Sequence, residues 1–132
     1  MSKPQVGVIG LGSMGGGVAK SLLRNGFPVT VCDVRPPVVE RFVALGAHGA
    51  STPAELAARS SIVVVLVVNA EQVESVMFGT NGAAAALNPG STVIMSVTLS
   101  PDYAETLAQR LAERGILMLD APVSGGEAKA AT

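Results

Sequence analysis

The residues best placed to do chemistry are three glycines in the segment G-L-G-S-M-G, residues 10–15. A β-branched run, residues 6–9, precedes them, and residues 18–24 then follow helical spacing. In a turn between a strand and a helix, Gly10 allows the tight bend, Gly12 leaves room for a pyrophosphate and Gly15 lets helix and strand approach. The start of the helix presents N–H groups and partial positive charge to phosphates.

A carboxylate follows the second predicted strand, residues 29–32, at the distance this chemistry requires. Asp33 stands 21 residues after Gly12, where it can accept hydrogen bonds from both ribose hydroxyls of an adenosine. It would also repel a 2′-phosphate, whereas Arg35 could bind one. The pattern predicts a dinucleotide site that favours NAD, with NADP left open. The alternative is a packing turn that binds nothing.

The rest of the chain alternates predicted helices and strands. Glycine ends three helices, at Gly26, Gly46 and Gly115, and a capping box at residues 52–55 begins another. Residues 62–68 are apolar throughout, as in a central parallel strand, and the alanines at 83–86 predict a short helix. We therefore predict an α/β fold with a doubly wound, mostly parallel sheet of Rossmann type and helices on both faces.

Composition excludes several other classes of function. The 132 residues carry 9 basic and 10 acidic groups, which does not suit a polybasic nucleic-acid binder. A single cysteine rules out an internal disulfide or a cysteine-built metal site, and we expect no metal. The longest apolar run is far shorter than the roughly 20 residues that span a bilayer. We expect a cytoplasmic protein with no membrane or nucleic-acid partner.

Beyond the glycine turn, the chain resembles the β-hydroxyacid dehydrogenases, which are related to 6-phosphogluconate dehydrogenase. The segment V-I-G-L-G-S-M-G, residues 8–15, is similar to the cofactor signature of that family. The segment D-A-P-V-S-G-G, residues 120–126, is similar to its substrate-binding loop, and Thr98 falls where the family has a threonine near the nicotinamide. Two departures stand beside Thr98: relatives often have serine where this chain has Val97, and aspartate where it has Met95.

The resemblance implies hydride transfer between a nicotinamide cofactor and a small β-hydroxy acid of the 3-hydroxyisobutyrate, 2-hydroxy-3-oxopropionate or threonate type. It also implies that Ser124, Gly125 and Gly126 bind the substrate; a serine-glycine-glycine turn without that role is the alternative. Val67, Val68 and Asn69 are expected near the nicotinamide half, although Asn69 could simply cap a helix. Gln72 and Val73, one turn further on, could contact the cofactor or only pack. The residues expected to bind the cofactor are Gly10, Leu11, Gly12, Ser13, Met14, Gly15, Asp33, Val34, Arg35, Val67, Val68, Asn69, Val73 and Thr98.

The family's general acid/base is a lysine on a later helix, and none of Lys3, Lys20 and Lys129 lies in that pattern. We therefore expect residues 1–132 to form a truncated dinucleotide-binding domain without a catalytic residue. The helical domain that would supply the lysine and mediate dimerisation is expected outside this chain. The alternatives are a non-catalytic dinucleotide-binding module and an enzyme of the 6-phosphogluconate dehydrogenase type.

Overall fold

A parallel sheet of six strands forms the centre of the fold in a computed structural model, which describes residues 3–121. The strands are β1 (Val6–Ile9), β2 (Val29–Cys32), β3 (His48–Gly49), β4 (Ile62–Val65), β5 (Thr92–Met95) and β6 (Leu117–Asp120). Their order across the sheet is β3-β2-β1-β4-β5-β6, and every described pairing is parallel. The chain builds outward from β1 to β3 and then crosses back to place β4 on the other side of β1. This order confirms the predicted fold class.

Five helices connect the strands. They are α1 (Ser13–Arg24), α2 (Pro36–Ala44), α3 (Pro53–Ala58), α4 (Ala70–Phe78) and α5 (Pro101–Ala112). Gly26, Gly46 and Gly115 follow α1, α2 and α5 with φ of 80°, 111° and 78°, a left-handed conformation that glycine adopts without steric cost. Thr52 is the N-cap of α3 as predicted, because the Glu55 amide donates to Thr52 Oγ1 at 3.1 Å, but the Glu55 carboxylate accepts from the Ser51 amide at 2.8 Å and not from the Thr52 amide of a full capping box.

The helices cover both faces of the sheet because successive side chains of each strand point to opposite sides. On β1, Val8 belongs to a core cluster with Ala19 of α1 and Phe42 of α2. The neighbouring Ile9 belongs to a second cluster, which contains Leu56 of α3 and Leu107 of α5. Two cores on either side of one sheet hold the ends of all the central strands in fixed positions.

Two sequence predictions were wrong in detail. Residues 83–86 form turns rather than a helix, because the amides of Ala83 and Ala84 donate to the carbonyls of Val76 and Met77 at the end of α4. A run of four alanines cannot offset the cost of starting a separate helix. The apolar run 62–68 also leaves the sheet early: β4 ends at Val65, and the chain then enters a loop.

Candidate functional site

A cleft of about 510 Å³ opens at the carboxyl ends of β1, β2 and β4. This is the point where the order of the strands reverses, and open α/β sheets bind ligands there. Three chain segments converge on it: the turn after β1, the loop after β2 and the loop after β4. The residues that line it are Ile9, Gly10, Leu11, Gly12, Cys32, Asp33, Val34, Arg35, Ser51, Pro53, Leu66, Val67, Val68, Gln72, Ser75 and Val76.

The three glycines of the first turn differ in whether the fold itself requires glycine at that position. Gly10 has φ of 97°, and a Cβ there would lie 2.6 Å from the Leu66 carbonyl oxygen. A Cβ on Gly15 would collide with the Gly10 carbonyl oxygen, so α1 starts against the turn itself. Gly12 differs: its φ is −69°, and a Cβ there would meet nothing within 4 Å. The protein itself does not require glycine at position 12, and the open space beside it faces the cleft.

The start of α1 is suited to an anion. Gly12 is its N-cap, no described side chain caps it, and its first turn contains no acidic residue. Ser13 and Met14 form that first turn, beside the cleft rather than in its wall. N–H groups at an uncapped helix start, next to a glycine with open space, can hold the oxygens of a pyrophosphate.

Asp33 is the carboxylate of the cleft, and it lies beside the glycine turn. Its Oδ2 accepts from the Leu11 amide at 2.8 Å, and its Oδ1 accepts from the Arg35 amide at 2.9 Å. Arg35 also donates through its side chain, with Nε 2.9 Å from Oδ1 and Nη2 3.1 Å from Oδ2. Burial alone would raise the pKa of Asp33, but the Arg35 guanidinium and the two amides lower it below its ordinary value. The group is therefore a carboxylate at neutral pH.

The first turn of α2, which follows this loop, has few donors to offer a ligand. Pro36 and Pro37 have no N–H group, and the amides of Val38 and Val39 donate to the Arg35 carbonyl at 3.0 and 3.3 Å. The Arg35 amide is already bonded to Asp33. The amides from 35 to 39 are thus either absent or bonded within the loop.

The loop after β4 is held by a reciprocal pair of hydrogen bonds at the start of α4. Asn69 Oδ1 accepts from the Gln72 amide at 2.9 Å, and Gln72 Oε1 accepts from the Val68 amide at 2.8 Å. Asn69 is therefore the N-cap of α4, the alternative that the sequence had left open. Val73 is fully buried in the core and presents no surface to the cleft, whereas Gln72 and Val76 on the same helix line it.

Other predicted site residues lie further along the same edge of the sheet. Thr98 is exposed on the loop after β5, the neighbour of β4, and outside the wall of the cleft. β6 ends at Asp120 on that edge, and the Ala121 amide donates to the Met95 carbonyl at 2.9 Å. Ser124, Gly125 and Gly126 follow outside the described residues.

The sequence did not single out some of the cleft residues. Ser51 and Pro53 stand where α3 begins, after the β3 strand that neighbours β2, and Ser75 and Val76 lie one turn beyond Gln72. The rule that parallel strands end at one edge could have found the first pair, and helical periodicity could have found the second. Neither pair contains a residue type that indicates chemistry by itself.

The lysines of the described chain have structural surroundings away from the cleft. Lys3 donates to the Asn25 carbonyl oxygen at the end of α1, and its Nζ lies 4.8 Å from the centre of the Phe27 ring. Lys20 is exposed on α1. Residues 3–121 contain no cluster of metal-binding side chains and no helix long and apolar enough to cross a membrane.

These observations fit an extended dinucleotide. The open space at Gly12 and the uncapped start of α1 suit a pyrophosphate, and the carboxylate of Asp33 suits a ribose diol. Val34 and Val68 are 93% and 82% exposed and supply apolar surface at the mouth of the cleft. Fold and site together define a dinucleotide-binding domain of Rossmann type.

Comparisons with known proteins agree with this assignment of a dinucleotide-binding domain. Residues 5–132 match the family model for the NAD binding domain of 6-phosphogluconate dehydrogenase. The L-threonate dehydrogenase of Cupriavidus necator is 60% identical over 127 residues, which are 96% of this chain and 43% of that protein. A crystal structure of 3-hydroxyisobutyrate dehydrogenase (ygbJ) from Salmonella typhimurium superposes with a TM-score of 0.92 and 43% identity, over 98% of this chain and 45% of that one.

An imine reductase from Myxococcus stipitatus has the same fold, and its complexes contain either cofactor. Its V8 variant with NAD+ gives a TM-score of 0.88 at 28% identity, over 96% of this chain and 43% of that one. The complex with NADP+ gives 0.87 at 27% identity, over 95% of this chain and 43% of that one.

The chain belongs to the β-hydroxyacid dehydrogenase family and comprises its NAD-binding domain. It spans less than half the length of the curated relatives it matches.

Proposed function

We propose that this chain is the cofactor-binding part of an enzyme that oxidises a small β-hydroxy acid with NAD. The observation that carries the proposal is the cleft at the reversal of strand order, where Gly12 leaves open space and Asp33 provides a carboxylate. When bound, the cofactor supplies a nicotinamide ring that exchanges a hydride with the substrate. This chain's residues bind and orient it: α1 at the pyrophosphate, Asp33 at the ribose, Val34 at the adenine, and Val68 towards the nicotinamide half.

Three features support NAD over NADP. The carboxylate of Asp33 would repel a 2′-phosphate. The Arg35 guanidinium, which could otherwise bind that phosphate, is paired with Asp33. The amides of residues 35–39 are absent or bonded within the loop, so the start of α2 has no spare donor for a phosphate.

Calorimetric titration of the chain with NAD and NADP, beside an Asp33→Ala variant, tests the cofactor part. We expect NAD to bind more tightly than NADP, and the variant to narrow the difference because it removes both the ribose acceptor and the repulsion of the phosphate. Equal affinities in the unsubstituted chain, or a variant that leaves the ratio unchanged, would contradict the assigned role of Asp33.

For the substrate, we propose a hydroxy acid of the L-threonate type, because a 60% identical relative is named L-threonate dehydrogenase. Ser124, Gly125 and Gly126, which follow β6 in the sequence, are proposed to hold the substrate carboxylate through neutral donors. Thr98 is proposed to lie near the nicotinamide, because its loop follows β5, next to β4. The general acid/base and the dimer contacts are expected outside these 132 residues.

Turnover assays separate the candidate activities. The complete gene product is expected to reduce NAD with L-threonate faster than with 3-hydroxyisobutyrate or 6-phosphogluconate. The 132-residue chain alone is expected to turn over none of them, and oxidation of any of these acids by it would contradict the proposal that the general acid/base lies outside it. The free, buried thiol of Cys32 suits the reducing cytoplasm, which we propose as the compartment.

A further inference from the structure

The contact between Arg35 and Asp33 fills the place that the proposed cofactor needs. Asp33 receives four hydrogen bonds from the described residues, two on each carboxylate oxygen. Two carboxylate oxygens have about four lone-pair positions, so this set leaves none for a further donor. The side chain of Asp33 is accordingly only 6% exposed, although it lines the cleft.

The four donors fall into two kinds. The amides of Leu11 and Arg35 belong to the backbone of the turns after β1 and β2, and they stay with the fold. The Nε and Nη2 groups of Arg35 belong to a long side chain that is 56% exposed and can rotate away. A ligand can therefore reach Asp33 only by replacing the guanidinium.

The guanidinium and a ribose present the same hydrogen-bonding pattern to a carboxylate. Nε–H and Nη2–H form a fork that meets one oxygen each, and the 2′- and 3′-hydroxyls of a ribose can donate to the same two oxygens. A 2′-phosphate brings negative charge to this position and lacks one of the two hydroxyl donors. Only an unmodified diol restores both hydrogen bonds that are lost when Arg35 leaves.

We propose that the Arg35 side chain occupies the ribose position until the cofactor arrives, so that NAD binds by exchanging the guanidinium fork for its 2′,3′-diol. This inference rests on the proposed function, because it takes NAD as the ligand of the cleft. Arg35 then opposes the binding of every ligand at this position, and the apparent affinity is the intrinsic affinity reduced by the fraction of chains in which the fork has left Asp33.

Substitution of Arg35 by methionine gives the first test, because Arg35→Met keeps an apolar stem and removes the fork. Exposed ion pairs contribute modestly, so we expect NAD to bind about two- to fivefold more tightly to the variant. NADP should gain less than NAD, because loss of the guanidinium also leaves its 2′-phosphate beside an unpaired Asp33. Arg41→Met is the matched control: it removes the same charge from an exposed position on α2 and should leave NAD binding unchanged or slightly weaker.

The Arg35→Lys variant separates hydrogen-bond geometry from charge. An ammonium group keeps the charge but cannot form the fork, so its affinity for NAD should fall between those of the unsubstituted chain and Arg35→Met. If charge alone mattered, Arg35→Lys would bind NAD like the unsubstituted chain. That result, or NAD affinity in Arg35→Met equal to or weaker than that of the unsubstituted chain, would overturn the exchange.

A spectroscopic measurement follows the fork directly. In the ligand-free chain, the Arg35 Nε–H signal should exchange slowly with water, and saturation with NAD should make that exchange faster. A signal that stays protected in the NAD complex would overturn the inference while leaving the NAD site intact. If neither the chain nor any variant binds NAD, the proposed cofactor site itself fails. The two failures are distinguishable because NAD still binds when only the exchange is wrong.

Discussion

Gly12 and Gly15 belong to one motif, yet the fold requires only one of them. Gly15 is required by packing, since a Cβ there would collide with the Gly10 carbonyl oxygen. At Gly12 the backbone is ordinary and the surrounding space is empty. Since the folded chain does not require glycine at position 12, we attribute this glycine to the room that the pyrophosphate of a bound cofactor needs.

This difference gives a prediction with a built-in control. Gly15→Ala should destabilise the chain by about 1–3 kcal/mol, because helix and turn must separate to admit the methyl group. Gly12→Ala should change stability by less than about 0.5 kcal/mol, since alanine lowers the entropy of the unfolded chain but is a poorer N-cap. The same variant should lose most of its affinity for NAD. Urea unfolding and calorimetry measure the two effects, and a Gly12→Ala chain that binds NAD normally would contradict the role of the open space.

At the scale of elements, two helices on the outer half of the sheet are joined by one carboxylate. Glu74 of α4 accepts from the Tyr103 hydroxyl at 2.7 Å and from Arg110 Nη1 and Nη2 at 2.9 and 3.0 Å, all on α5. The Arg110 guanidinium also lies 3.5 Å from the centre of the Phe78 ring. The hydrogen bonds from Arg110 and Tyr103 lower the pKa of Glu74, whereas burial and the bond to Glu74 raise the pKa of Tyr103 to about 12.

Glu74→Gln should reduce stability at neutral pH by no more than about 1 kcal/mol, because both charged partners are more than a third exposed. Since the folded pKa of Glu74 is lowered, its contribution is complete above the ordinary glutamate pKa and disappears as the pH falls through the lowered value. The difference in unfolding free energy between the two chains should therefore vanish in acid. A difference that persists there would show that the effect is not the charge of Glu74.

The start of α4 fixes the cleft wall formed by the loop after β4, because Gln72 Oε1 accepts from the Val68 amide. Gln72→Ala should weaken NAD binding, because the loop after β4 loses one of its fixed points. Asn69→Ala should weaken NAD binding too, and it should in addition lower the free energy of unfolding by about 1 kcal/mol, because α4 loses its N-cap. Glu105→Ala, at an exposed position on α5, is a control that should change neither quantity. Titration and urea unfolding distinguish the three variants, and unchanged NAD affinity in Gln72→Ala would remove Gln72 from the site.

At the scale of the whole molecule, the reactivity of the single cysteine measures how often the folded chain opens. Cys32 is buried at the end of β2, and burial, followed by the charges of Asp33 and Glu55, raises its pKa to about 11. Thiolate is the reactive form, so the folded chain contains almost none of it near neutral pH.

Cys32 should therefore react with iodoacetamide only when the chain unfolds. Labelling should be slow in native buffer at about pH 8 and fast in urea. It should be slower still in native buffer with NAD, because NAD covers the cleft wall that contains Cys32 and also opposes opening of the fold. Mass spectrometry measures the labelled fraction over time. Rapid labelling of the native chain would contradict the closed core around β2.

The sequence alone determined the alternation of helices and strands apart from the helix predicted at 83–86, the three glycine-terminated helices, the glycine turn and the acid after β2. These are local properties: backbone φ, helix capping and the two-residue period of strands are set by neighbours in the chain. Family resemblance added Thr98 and the serine-glycine-glycine turn at 124–126, whose roles stay predictions.

Only the tertiary structure decided where β4 leaves the sheet, that Val73 packs in the core while Gln72 and Val76 face the cleft, and that residues 83–86 fold back on α4. It also decided that Arg35 closes on Asp33, which the sequence places two residues apart without indicating that they pair. Each of these depends on which atoms meet across the sheet or within the cleft, and spacing along the chain does not specify such contacts.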